Sequence, residues 1–81
     1  MKILKFYTDT CMPCKVVGKI LDKIGAEVTP VNAAEDTEMV DKYQVFMTPT
    51  LIFLNDNGEE VERTKGMVTE GKIKEIIAKC K

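Results

Sequence analysis

"FYTDTCMPCKVVGKIL", residues 6–21, joins an apolar run to an amphipathic one through two cysteines that stand two residues apart. The preceding run, KILKFY (residues 2–7), is apolar and aromatic, as is typical of a strand. The apolar residues that follow the cysteines recur at helical spacing: Val16, Val17, Ile20, Leu21 and Ile24. The sequence therefore predicts a strand, a Cys-x-x-C and a helix in direct succession, with Gly25 as the helix stop.

The position of the two cysteines predicts different roles for them. Cys11 falls at the helix N-terminus, where free N–H groups and the positive end of the helix dipole favour a reactive thiolate. Cys14 shares a helix face with Val17, Leu21 and Ile24, so we expect it to be the more buried sulfur. An exposed attacking thiol and a sheltered resolving thiol suit dithiol exchange. Pro13 is tolerated because the first helical turn has no hydrogen bond to lose.

Two other roles for a Cys-x-x-C are a structural disulfide and a metal site. Cross-linking so short a loop stabilises a protein little, because the gain grows with loop length. A metal site normally needs four ligands, whereas the chain has three cysteines and no histidine. Cys80 lies on the apolar face of the last predicted helix, where a free cysteine acts as a small hydrophobe. These observations favour a redox-active cysteine pair over a structural disulfide or a metal site, which would need ligands from two chains, so we expect no metal.

The remainder of the chain continues the alternation of strands and helices. Residues 26–32 predict a second strand, which Pro30 assigns to a sheet edge because proline cannot donate to a ladder. Residues 35–45 predict a short helix. The continuously apolar "TLIFL", residues 50–54, predicts a strand buried on both faces.

A hairpin and a helix complete the predicted fold. Asn57 and Gly58 form a strong turn signal, and the charged segment after them predicts an exposed edge strand. Thr69 is a good N-cap for the last helix. Right-handed crossover makes the first two strands parallel neighbours. The sequence thus predicts a single α/β domain over residues 1–81, in the order β-α-β-α-β-β-α, with a mixed four-stranded sheet flanked by helices.

Composition excludes several classes of partner. The chain has 81 residues and a formal net charge of −1, from 12 basic and 13 acidic residues. This balance does not suit a phosphate backbone, so we expect no nucleic-acid partner. No segment reaches the roughly 18 apolar residues that span a membrane, and residues 1–10 lack an export signal. We expect a cytoplasmic protein, without a membrane partner, that is a monomer.

The whole pattern resembles the thioredoxin superfamily. The Cys-x-x-C follows the first strand of a βαβ unit, Thr48-Pro49-Thr50 opens the hairpin, and Gly66 precedes the last helix. The outline is similar to that of the compact thioredoxin- and glutaredoxin-like members. The resemblance implies that Cys11 is the nucleophile, that Cys14 resolves the mixed disulfide, and that Pro49 is cis and packs against the pair.

The resemblance also implies an activity, a thiol–disulfide oxidoreductase that reduces protein disulfides and takes its electrons from a thioredoxin-reductase-type donor. Such an enzyme is expected to need no bound cofactor, because the cysteine pair is the redox centre. The implied substrate-binding residues are Met12, Pro13, Thr48 and Pro49, with the Thr48 backbone aligning the substrate as a short added strand. Two alternatives remain: a glutathione-linked glutaredoxin, and a non-catalytic thiol- or metal-binding module on the same fold.

This chain departs from the thioredoxin pattern at several positions. Thr10 replaces the usual tryptophan, and Met12-Pro13 stand where thioredoxins have Gly-Pro. Residues 65–68, KGMV, lack the double glycine of a glutaredoxin, so a glutathione site is not supported. Lys5 replaces the buried acid expected six residues before the first cysteine. Thr10 and Lys5 are therefore candidate modulating residues, and Lys5 either stabilises a thiolate or extends its stem to water.

Overall fold

The computed structural model describes residues 1–80 and contains the predicted order of elements. In chain order these are β1 (Lys2–Tyr7), α1 (Met12–Ile24), β2 (Val28–Asn32), α2 (Thr37–Tyr43), β3 (Thr50–Leu54), β4 (Glu60–Lys65) and α3 (Glu70–Lys79). The sheet order is β2-β1-β3-β4. β1 pairs in parallel with β2 and antiparallel with β3, and β4 is antiparallel to β3. The prediction of a mixed four-stranded α/β sheet is confirmed.

Helices cover both faces of the sheet, because side chains alternate along its two central strands. Ile3, Leu51 and Phe53 point to one face, where they pack with residues of α1 and α3: Val17, Leu21, Ile73 and Ile76. Leu4, Phe6, Val31, Ile52 and Leu54 form a second cluster, against which the α2 residues Met39, Val40 and Tyr43 pack. All five β3 residues are buried, which confirms that "TLIFL" is covered on both faces.

The sequence signals for helix ends correspond to observed caps. Gly25 has a φ of 69° and ends α1 as predicted. The hydroxyl of Thr69 accepts a hydrogen bond from the Lys72 amide at 3.1 Å and caps α3. The second strand begins at Val28, two residues later than predicted. The cause is the helix cap, in which the Ala26 amide donates to the Leu21 carbonyl at 3.2 Å.

Arg63 ties strand β4 to the end of helix α2. Its guanidinium donates to the Tyr43 carbonyl at 2.8 Å and to the Glu60 carboxylate at 2.6 and 2.7 Å. The hydrogen bond from Arg63 lowers the pKa of Glu60, and burial of the carboxylate opposes that shift. This contact anchors the shortest helix to the sheet.

Both outer strands have the edge character that the sequence predicted. β2 lies at one side of the sheet and carries Pro30, and β4 lies at the other. The pairing of β4 with β3 shifts register between Phe53 and Leu54. None of the helices within residues 1–80 is both long and apolar enough to cross a bilayer.

Candidate active site

Cys11 and Cys14 form a disulfide at the junction between β1 and α1. Their Cα atoms are 5.2 Å apart. Cys11 is the N-cap of α1, and its Sγ accepts a hydrogen bond from the Cys14 amide at 3.1 Å. The same Sγ therefore faces the unpaired amides of the first helical turn, a location that favours negative charge on sulfur.

The two sulfur-bearing residues differ in exposure as the sequence predicted. Cys14 is 3% exposed and lies on the buried side of α1 with Val17 and Leu21. Cys11 is partly exposed. The neighbouring Pro13 occupies the first helical turn and is exposed. A reagent in solvent can therefore approach the first sulfur, while the protein covers most of the second.

The segment before β3 lies at the same end of the sheet. Thr50 pairs with Phe6, so Pro49 stands at the level of Tyr7, where β1 runs into the cysteine loop. The Thr48–Pro49 bond is cis and Pro49 is buried, and the predicted cis geometry is therefore confirmed.

Two hydrogen bonds hold this proline segment in place. The buried Thr50 hydroxyl donates to the Met47 carbonyl at 2.6 Å. The Gly66 amide donates to the Pro49 carbonyl at 2.8 Å, and Gly66 has a φ of 76°. The sequence pattern indicated the importance of Gly66 but not of the Thr50 hydroxyl, whose partner depends on how the loop folds back.

Methionines supply much of the exposed apolar surface at the ends of these segments. Met12 at the start of α1 is 65% exposed, Met47 before the proline is 48% exposed, and Met67 after Gly66 is 57% exposed. A side chain at Gly66 would approach the Met47 methyl group within 3.5 Å. Thr10 is exposed in the loop that precedes Cys11. Met67 is a contributor that the sequence analysis did not single out, since its signal was only its place beside Gly66.

Lys5 faces the helix that carries the cysteines. It shares a side of β1 with Ile3, whose cluster includes α1 residues. A Cβ atom at Gly18 would stand 2.9 Å from the Lys5 Nζ, so the ammonium group lies directly against the helix backbone. Nζ is also 5.4 Å from the centre of the Tyr7 ring. The long stem of Lys5 therefore does not lead its amine away from α1.

A cleft of about 240 Å³ connects Lys5 with the buried cysteine. Its lining residues are Lys5, Tyr7, Thr8, Asp9, Cys14 and Lys15. Gly18 is not among the residues predicted from the sequence, although a glycine inside a helical pattern is a signal for close approach.

Among residues 1–80 there is no group of three or more His, Cys, Asp or Glu side chains that could hold a metal ion. Cys80 is a free, partly buried cysteine that packs against the cluster of α1 and α3 residues. The fold and the Cys11–Cys14 pair together define an α/β protein with a Cys-x-x-C disulfide at a strand–helix junction.

Comparison with known proteins agrees with that class. The model of the thioredoxin family matches residues 1–79. The SPbeta prophage-derived thioredoxin-like protein YosR of Bacillus subtilis is 32% identical over 66 residues, which are 82% of this chain and 82% of that protein. The thioredoxin of Mycoplasma pneumoniae is 30% identical over 81 residues, covering 94% of this chain and 78% of its own.

A solved structure shows the same fold. A mutant thioredoxin from Halobacterium salinarum superposes with a TM-score of 0.90 at 28% identity, covering 98% of this chain and 73% of that chain. The chain belongs to the thioredoxin family.

Proposed function

We propose that this protein is a thiol–disulfide oxidoreductase that reduces protein disulfides, with Cys11 as nucleophile and Cys14 as resolving cysteine. The observation that carries the proposal is the asymmetry of the pair. Cys11 is partly exposed at a helix N-terminus and accepts a hydrogen bond on sulfur, whereas Cys14 is 3% exposed. Family membership supports the same assignment.

In the proposed reaction the reduced protein starts with a Cys11 thiolate and a Cys14 thiol. The thiolate attacks a substrate disulfide, which forms a mixed disulfide and releases one substrate sulfur as a thiolate. Cys14 then loses its proton, attacks the Cys11 sulfur and breaks the mixed bond. The products are the Cys11–Cys14 disulfide and a fully reduced substrate, whose released thiolates take up protons. Two electrons have passed from the protein to the substrate.

Substrate docking is proposed along the segment before β3. Within residues 1–80, Thr48 takes part in no backbone–backbone hydrogen bond, so its amide and carbonyl are available to an extended peptide. A substrate strand that pairs with Thr48 would place its sulfur near the end of β1. Pro49 would shape the floor of this groove, and Met12 and Pro13 would contact the substrate from the start of α1.

The remaining parts of the proposal concern partners and location. The oxidised pair would be reduced by a protein of the thioredoxin-reductase type. We propose that the reaction takes place in the cytoplasm, where protein thiols are kept reduced. The cysteine pair itself carries the electrons, so the proposed reaction involves no resident cofactor.

The decisive experiment measures which donor reduces the oxidised protein. The purified chain is mixed with a protein disulfide such as that of insulin, and either NADPH with a thioredoxin reductase or reduced glutathione with its reductase. We expect turnover with the first system. Exclusive turnover with glutathione would support a glutaredoxin, and no turnover with either system would favour a binding module.

Two variants test the roles of the cysteines. Cys11→Ser should abolish turnover, because it removes the attacking sulfur. Cys14→Ser should form a stable mixed disulfide with the substrate, because nothing resolves it. In the reduced wild-type protein an alkylating reagent should modify Cys11 before Cys14. Faster modification of Cys14 would contradict the assignment.

A further inference from the structure

We infer that Lys5 is a positioning residue for Cys14, and that its ammonium group stabilises the thiolate of that buried cysteine during the resolving step. This inference rests on the proposed dithiol exchange. It assigns a role to the position where the thioredoxin pattern has an acid, and the assignment depends on contacts in this chain.

The first observation is where the ammonium group lies. The side chain of Lys5 points toward α1, and its Nζ would be 2.9 Å from a Cβ at Gly18. Gly18 is four residues after Cys14, and residues at that spacing lie about 5–6 Å apart on one helix face. Lys5 therefore brings a positive charge within about one helical turn of the buried sulfur.

The second observation is that the charge has no ion-pair partner. In the part of the chain that the structure describes, Lys5 takes part in no salt bridge. Its ammonium group lies over the face of the Tyr7 ring, 5.4 Å from the ring centre. An ammonium group that is partly withdrawn from water and unpaired interacts strongly with a new anion nearby.

The third observation is the cleft that joins the two groups. Lys5 and Cys14 line the same cavity of about 240 Å³. The other titratable side chains on its wall are Tyr7, Asp9 and Lys15. The cleft is open to solvent through the exposed Asp9 and Lys15, so water can enter it and accept the Cys14 proton.

The resolving step would proceed as follows from these contacts. The Cys14 thiol gives its proton to water in the cleft, and the Lys5 ammonium stabilises the resulting thiolate without changing its own protonation. The thiolate attacks the Cys11 sulfur of the mixed disulfide, and the bond to the substrate breaks. The substrate sulfur leaves with the electron pair and takes up a proton from water. Lys5 therefore acts on the free energy of the thiolate and not as a proton carrier.

Gly18 leaves room for the Lys5 ammonium group beside helix α1. Glycine inside a helix is less favourable than alanine, so its presence in α1 calls for a local reason. The Lys5 ammonium occupies the space that a Cβ would need. Because that ammonium is the far end of a flexible chain, Gly18→Ala should displace it without disrupting the helix.

The test measures the Cys14 thiol by itself. In a Cys11→Ser, Cys80→Ala background, Cys14 is the remaining cysteine, and its thiolate absorbance is followed as the pH is raised. Lys5→Met should raise the pKa of Cys14 by about one unit, a tenfold loss of thiolate at a given pH. Lys19→Met removes a charge from an exposed position of the same helix and should leave the titration unchanged.

A double-mutant cycle shows whether Gly18 determines the position of the Lys5 ammonium group. Gly18→Ala should change the Cys14 titration when Lys5 is present, and should have no effect in the Lys5→Met background. The inference is overturned by an unchanged titration in Lys5→Met, by an equal shift in Lys19→Met, or by a Gly18→Ala effect that is the same in both backgrounds.

A second readout uses the otherwise native protein, equilibrated with a dithiol of known potential. A cation near the thiolate favours the reduced form over the neutral disulfide. At a pH above the Cys14 pKa of both proteins, where the reduced form carries the Cys14 thiolate, Lys5→Met should therefore shift the equilibrium about tenfold toward the disulfide, which lowers the two-electron potential by about 30 mV. At neutral pH, where Cys14 is a thiol in the reduced protein, the potential should change much less. Because neither readout requires turnover, a protein that reduces no substrate but shows both shifts would refute the proposed function and retain this inference.

Discussion

The Thr50 hydroxyl offers a test of how the proline segment is held. Thr50→Val keeps the branching at Cβ and replaces the hydroxyl by a methyl group, which removes the hydrogen bond to the Met47 carbonyl at 2.6 Å. Thr50 is 1% exposed, so the new methyl group stays inside the protein, and it leaves no cavity because it is no smaller than the hydroxyl that it replaces. The change therefore isolates one hydrogen bond next to the proposed substrate groove.

The size of the effect follows from the surroundings of the acceptor. A neutral hydrogen bond contributes about 1 kcal/mol net, and an acceptor left fully buried costs up to about 3 kcal/mol. The Thr50–Met47 bond is only partly buried, so water can replace the lost donor and the lower value applies. With a urea slope of about 1 kcal/mol per M, the unfolding midpoint should fall by about 1 M.

The control is Thr50→Ser, which keeps the hydroxyl and deletes a buried methyl group. That deletion also costs about 1 kcal/mol, so the two variants should have similar stability. They should differ in function, because only Thr50→Val releases the Met47 carbonyl and loosens the Thr48–Pro49 segment. We expect lower turnover of a protein disulfide in Thr50→Val alone, together with faster hydrogen exchange at the Gly66 amide that bonds to Pro49. Equal turnover in the two variants would refute the reasoning.

Two further predictions concern the rest of the molecule. Glu60→Gln should lower the free energy of unfolding at pH 7 by about 1 kcal/mol or less, since it weakens a partly exposed ion pair with Arg63. The pKa of Glu60 in the folded protein is lowered from 4.5. The stabilisation that its carboxylate provides is therefore complete above pH 4.5 and is lost as the pH falls through the folded pKa. The difference in urea unfolding between Glu60→Gln and the wild type should shrink over the same pH range. Cys80→Ala should cost about 1 kcal/mol of stability, because a partly buried side chain is shortened against the core. Disulfide reduction should continue at the wild-type rate, and a large loss of turnover in a folded Cys80→Ala protein would show that this cysteine has a redox role.

Much of the fold was predictable because its signals are local. The apolar run of β3, the turn at Asn57–Gly58 and the cap at Thr69 each depend on residues close together in the chain. The relative burial of Cys11 and Cys14 also follows from helix periodicity alone. For these features the three-dimensional structure supplies the distances and agrees with the prediction made from the sequence.

The remaining features depend on contacts between distant residues. Arg63 reaches the Tyr43 carbonyl across 20 positions, and nothing around either residue indicates the other. The approach of Lys5 to Gly18 likewise requires the distance between strand and helix to be known. The early prediction for β2 was wrong at its start because a helix cap continues through Ala26, which the strand-like composition of residues 26–32 does not reveal.

The character of the two outer strands bears on aggregation. Pro30 removes a donor from β2, and the opposite strand, β4, carries charged residues and an irregular register. A second copy of the chain therefore meets an incomplete ladder at either side, which disfavours growth of the sheet into an intermolecular one. The proposed function requires this protein to bind extended peptides along one short segment. The two edge strands at the same time disfavour polymerisation through its own sheet at high concentration.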